Sequence, residues 1–277
     1  MKMELALDLA LAGLPTFRLE SADPRWSAAL MPRYGAFARE AHQARAGAAA
    51  PATTRLRLTA TSPPPDAIAL ARNVAESVDV ERATGGWTLR TSWCRVAFDR
   101  RSGLVEIEGP LHRVAVDLAL RHLLTEQLAD GLLLHGALLV EGERTFLCAG
   151  PSGCGKSTLA ALLPEQALCD ELAVARREAA GGWRAWSLPF WHGRPGSGRL
   201  AGVHLLAHGA RAERRSLAPS AAWRRLAPEV IWPAHDEVAS RRAFELLGLL
   251  ALEVPVSALA FRPEPEVWTL ISSPAAA

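Results

Sequence analysis

The segment RLRLTAT (55–61) alternates apolar and polar residues strictly, as a half-buried β-strand should. The prolines of SPPPD (62–66) end it, because they cannot donate to a ladder. Residues 1–20 alternate more loosely, and LPTFRLE (14–20) reads as a strand. An Ala-rich stretch, 34–50, follows with no assigned element. GWTLRTSWCRVAFDRRSGLVEIEG (86–109) reads as two or three short antiparallel strands, with DRRSG (99–103) as a turn. The pattern then changes period. HRVAVDLALRHLLTEQLADG (112–131) places Val116, Leu120, Leu123, Leu124 and Leu128 on one helical face, with Gly131 positioned to terminate it.

Two apolar runs, LLLHGALLVE (132–141) and RTFLCAG (144–150), predict buried strands. A glycine-rich stretch and a short apolar helix from Lys156 to about Leu163 come next. ALCDELAVARR (167–177), GGWRAWSL (181–188) and RLAGVHLLAHG (199–209) predict further strands. Helical stretches at 219–227 and 235–251 precede a closing strand pair, VSALAFRP (256–263) and VWTLI (267–271). The expected division is a β-rich or α+β region over 1–108 and an α/β region with a mixed sheet over 109–277.

Composition adds exclusions. The 277 residues are 49% hydrophobic and 22% charged, with a net charge of +2. Neither nucleic acid nor a membrane surface is suggested by that balance, and the basic cluster RAERR (211–215) reads as a solvated face. No run approaches the ~18 apolar residues of a membrane span. Glu4 and Asp8 interrupt the N-terminal apolar run, which makes it a poor signal peptide. Cys94, Cys148, Cys154 and Cys169 lack C-x-x-C spacing, so reduced thiols and a cytoplasmic location are expected.

Of 31 basic residues only Lys2 and Lys156 are lysines. Lys156 stands in GPSGCGKST (150–158), which fits G-x-x-x-x-G-K-[ST] at Gly150, Gly155, Lys156 and Ser157. A strand precedes the motif and a helix follows it, as a phosphate loop requires. An ammonium is a compact point charge that fits among phosphate oxygens, where a planar guanidinium does not. Gly150, Ser152, Gly153, Cys154, Gly155, Lys156, Ser157 and Thr158 are therefore the expected ATP contacts, Cys154 through its backbone only. Ser157 is the expected Mg²⁺ ligand. Asp170 and Glu171 follow a short apolar strand and supply carboxylates for Mg²⁺ and for deprotonating a hydroxyl.

These residues together resemble the HPr kinase/phosphorylase family, and its smaller bacterial relatives in particular. The resemblance covers roughly 110–277 and rests on His135-Gly136 ahead of the loop, the loop itself, and Asp170-Glu171 after it. LPFWHG (188–193) and EVPVSALAF (253–261) add to it. It implies a fold akin to phosphoenolpyruvate carboxykinase, ATP and Mg²⁺ as cofactors, and transfer to a hydroxyl, Ser above all, of a protein or peptide. It also implies that His135 joins Asp170, Glu171 and Lys156 in catalysis. Glu171 stands where the full-length enzymes have a second Asp, and their downstream Gly-rich signature for phosphorolysis and HPr docking is missing. A nucleotide-binding regulatory or scaffold protein, as in peptide natural-product biosynthesis, is the alternative. An ABC-type motor fits worst, because no LSGGQ-like signature follows the loop.

Several residues keep open roles. Trp191 and His192 are candidates for an acceptor pocket, and Arg199, Arg215, Arg241 and Arg242 for phosphate contacts. HDE (235–237) reads as a helix start with acidic residues in its first turn. Residues 1–108 offer strand edges that could recruit a peptide acceptor, or else cover apolar surface. A homo-oligomer is compatible with the sequence.

Overall fold

A computed structural model gives the fold and describes residues 4–44, 54–61, 78–233 and 236–273. SPPPD, most of the Ala-rich stretch beyond 44, and His235 lie outside the described residues. The chain is mixed α/β, with two mixed sheets and six described α-helices. It divides into two compact units, Met1–Leu124 and Thr125–Ala277, later than the 108/109 division that the pattern suggests.

The first unit holds a seven-stranded sheet of β1 (Leu5–Leu9), β2 (Phe17–Ser21), β3 (Thr54–Ala60), β4 (Asp79–Ala83), β5 (Gly86–Arg90), β6 (Arg95–Asp99) and β7 (Leu104–Gly109). Its order is β1-β2-β3-β7-β6-β5-β4, parallel where β3 meets β2 and β7 and antiparallel elsewhere. The alternation of 55–61 is the alternation of burial: Leu56 and Leu58 point inward. Helix α1 (Arg25–Ala44) was not visible in the sequence pattern, and its interior Pro32 argues against a helix. Trp26, Leu30, Tyr34 and Phe37, all fully buried, supply the helical spacing that holds it. Helix α2 (Arg113–Gln127) buries Val116, Leu120, Leu123 and Leu124 as expected. It ends at Gln127, and Gly131 opens the next strand rather than capping the helix.

The second unit holds an eight-stranded sheet: β8 (Gly131–Glu141), β9 (Arg144–Ala149), β10 (Ala167–Cys169), β11 (Leu172–Arg177), β12 (Trp183–Ser187), β13 (Ser197–His208), β14 (Glu213–Ser216) and β15 (Val256–Phe261). Helices α3 (Lys156–Leu162), α4 (Pro219–Leu226), α5 (Glu237–Glu253) and α6 (Val267–Ser272) accompany it. The predicted strand over VWTLI is helix α6 instead. Val267 and Ile271, one helical turn apart, bury into the core, and that packing decides an apolar run too short for pattern alone. β8 pairs with β9 and β11, β11 with β12, β12 with β13, and β13 with β9, so the pairings form a closed circuit.

β9, β13 and β15 run parallel, with Ala149, Leu205 and Ala258 level with one another. Ligands of α/β sheets gather at the carboxyl ends of parallel strands. That end is where the glycine-rich loop leaves β9.

Candidate functional site

Residues 150–155 turn from β9 into α3, the strand–loop–helix order that the motif requires. Gly155 caps α3 with φ 103°, a left-handed conformation suited to glycine. A Cβ there would also stand 2.9 Å from Phe261 Cζ, at the end of β15. His208, at the end of β13, donates from Nε2 to the Gly153 carbonyl at 2.7 Å. The loop is thus held by β13, which pairs with β9, and by β15 on the far side of β13. Cys154 faces the core, and its N–H donates to the Pro151 carbonyl at 3.1 Å.

Lys156 is buried and folds back on its own loop. Its Nζ donates to the Gly150 carbonyl at 2.6 Å and to the Pro151 carbonyl at 3.2 Å. Both carbonyl dipoles offset the cost of burying the ammonium charge.

Three separate segments meet at this loop around one cavity of ≈ 470 Å³. Its walls are Ser152, Gly153, Gly155, Lys156, Ser157 and Thr158 from the loop, His135 from β8, Asp170 and Glu171, and Trp191 with His192. Gly150 and Cys154, both buried, do not line it. The predicted long strand over 167–177 is broken at Asp170–Glu171 into β10 and β11. That break turns the acidic pair toward the loop. It is fixed by pairing on both sides: Leu172 lies opposite His135, and the Gly136 N–H donates to the Glu171 carbonyl at 2.8 Å. Gly136 is needed there, because a Cβ would meet Leu147 Cδ1 at 2.9 Å and the Cys148 carbonyl at 3.0 Å.

One carboxylate oxygen of Asp170, Oδ1, is buried without a hydrogen-bond partner. Such an oxygen carries an uncompensated desolvation penalty, which a cation or a proton donor would relieve. With the Ser157 hydroxyl on the same cavity, the donor set is all oxygen, as Mg²⁺ prefers. Among the described residues no three His, Cys, Asp or Glu side chains cluster as a metal site, so a Mg²⁺ ion here would need further oxygen ligands besides these residues.

Glu229 belongs to this group and carried no sequence signal. It lies in a 3-10 turn (Ala227–Glu229), and Val230 bridges to Leu134 while the Ile231 N–H donates to the Leu133 carbonyl. Those contacts lay the turn along β8. Glu229 Oε2 comes within 3.4 Å of His135 Nδ1. Burial raises the Glu229 carboxyl above the ordinary carboxylate range, against the opposite pull of Lys156 and the Gly150 N–H. The four arginine candidates lie elsewhere. Arg215 pairs with Glu213 at 2.7 Å and Arg241 with Glu237 at 3.3 Å, and neither these nor Arg199 and Arg242 line the cavity. Asp236 caps α5, accepting from the Ala239 N–H at 3.0 Å, as the helix-start reading of HDE expects. The four cysteines are buried and unbridged.

Compared with known proteins, the chain matches no family model and no curated sequence. Among the described residues no helix is long and apolar enough to cross a membrane.

Proposed function

We propose that this protein is a cytoplasmic, ATP- and Mg²⁺-dependent kinase that transfers the γ-phosphate to a hydroxyl, Ser above all, of a protein or peptide. The observation that carries this reading is the convergence of loop, His135 and acidic pair on one cavity. Segments so far apart in sequence need not share a cavity unless the fold brings them there. The resemblance to HPr kinase-like proteins points the same way.

In this reading the loop backbone holds the β- and γ-phosphates, and Lys156 exchanges its two loop carbonyls for phosphate oxygens. Ser157 and one carboxylate of the acidic pair would hold Mg²⁺, which when bound offsets the charge that builds up on the phosphate oxygens. Asp170 accepts the proton of the attacking hydroxyl, and Glu171 serves the metal. His135, beside Glu229, orients the acceptor side of the cavity.

The test is transfer from γ-labelled ATP to proteins captured from the native host, followed by phosphosite mapping. Labelled hydroxyl residues that vanish with Asp170→Asn support the reading. Tight MgATP binding with no labelled acceptor would instead favour a nucleotide-binding scaffold.

A further inference from the structure

Helix α5 buries one face and leaves the other to solvent. Ala243, Leu246, Leu247 and Leu250 enter the core of the Thr125–Ala277 unit. Five large hydrophobic side chains are exposed among the described residues, and three of them stand on α5: Val238, Phe244 and Leu252. A single exposed apolar residue is ordinary, but three on one helix face, at 55–69% exposure, form a patch. None of them lines the phosphate-loop cavity.

The exposed face has an order. Val238, Arg241, Glu245, Gly248 and Leu252 follow one another at spacings of three, four, three and four residues. That is the period of a seam along which two helices pack. Phe244 borders the seam, and its ring meets Trp223 of α4 edge-on at 5.0 Å between centroids.

Gly248 is the unusual member. It lies inside α5, where glycine is unfavourable because it gives up the most backbone freedom. Packing among the described residues supplies no reason for it, since a Cβ there would stand in open space. Its effect is a notch in the seam between Glu245 and Leu252, where a side chain from outside can come close to the backbone.

The charges select what fills the notch. Two α5 helices laid parallel and in register would set Arg241 on Arg241 and Glu245 on Glu245, which repel. Turned antiparallel about a two-fold axis level with Ala243, each Arg241 meets the partner subunit's Glu245, and each Val238 meets the partner subunit's Gly248. Residue 243 is the midpoint of both pairs, so one axis satisfies charge and shape together. Phe244 lies one residue from that axis and covers its flank. The contact is isologous and closes on itself. Glu237, which pairs with Arg241 at 3.3 Å on the same helix, competes weakly. The two side chains are 87% and 73% exposed, and an ion pair so solvated contributes little.

We propose that the exposed face of α5 is a homodimer interface, in which two copies pack antiparallel with Arg241 on Glu245 and Val238 in the Gly248 notch. The interface stands on its own geometry and does not depend on the kinase reading. A seam from Val238 to Leu252 is about 21 Å long. It is smaller than a standard interface, so a dimer dissociating at about 1–100 µM is expected.

Sedimentation equilibrium of the full chain, over about 1–500 µM, should show a monomer–dimer equilibrium. Arg241→Glu and Glu245→Arg change exposed side chains, and circular dichroism should show both variants folded. Each alone places like charges on both halves of the seam and should weaken the dimer at least about tenfold. An equimolar mixture of the two should dimerise again to within about threefold of wild type, because every contact between unlike copies then joins opposite charges. A wild type that stays monomeric, a dimer unmoved by both reversals, or variants that fail to pair when mixed would overturn the proposal.

Discussion

Asp170 combines a buried, unpartnered carboxylate oxygen with a place on the wall of the loop cavity. Asp170→Asn keeps the shape and removes the proposed base. MgATP binding should survive, and transfer should fall by about 10²–10⁴ in single-turnover experiments. Transfer at the wild-type rate would move the base assignment to Glu171. The residues of this cavity differ in how legible they were. Lys156, Ser157 and the acidic pair sit in short patterns whose chemistry dictates their spacing, so they could be read directly. Glu229 and His208 could not. Each is an isolated polar residue, brought to the loop only by the bridge of Val230 to Leu134 and by the parallel pairing of β13 with β9.

β8 and β9 form the hairpin that delivers both His135 and the loop. Gly136→Ala would push a methyl against Leu147 and the Cys148 carbonyl, and overpacking of this kind is destabilising by about 1–3 kcal/mol. A lower urea midpoint is expected, and an unchanged midpoint would show that the hairpin yields. In the first unit, α1 and α2 are tied by a buried polar cluster. The Tyr34 hydroxyl and the Arg113 guanidinium both donate to Asp117, which burial holds above the ordinary carboxylate range. Asp117→Ala strands the half-buried Arg113 guanidinium and the buried Tyr34 hydroxyl. It should destabilise the protein by about 3–5 kcal/mol in denaturant titrations, and a loss under about 1 kcal/mol would mean the cluster is replaceable. Long or strictly alternating segments, such as 55–61 and 132–141, were legible because one period fits them. VWTLI was not, since five apolar residues satisfy strand and helix alike until Val267 and Ile271 find a core. α1 was hidden by Pro32, whose local preference the burial of Trp26, Leu30, Tyr34 and Phe37 overrides.

The stability of the chain carries the imprint of His204. Burial pushes its folded value down to about 4, below the 6.5 of an unfolded histidine, so between those values the unfolded chain binds a proton that the native one refuses. The contribution is complete above pH 6.5 and is lost as pH falls toward 4, up to about 3 kcal/mol. His204→Gln should flatten that part of the stability–pH curve, and identical slopes in both proteins would contradict the buried neutral histidine. The sequence shows a change of period near residue 110, and the boundary between the two compact units falls within α2. The closed circuit of β8, β9, β11, β12 and β13 was not legible, because pairing partners are set by tertiary closure rather than by any one segment. Everything proposed about phosphate transfer depends on the loop that this circuit presents, and calorimetric titration of MgATP into wild type and Lys156→Ala tests it most directly. The variant should stay folded and lose at least about tenfold in affinity if, as proposed, Lys156 Nζ serves phosphate charge. A folded variant with unchanged affinity would contradict the assignment of Gly150–Ser157 as a phosphate loop.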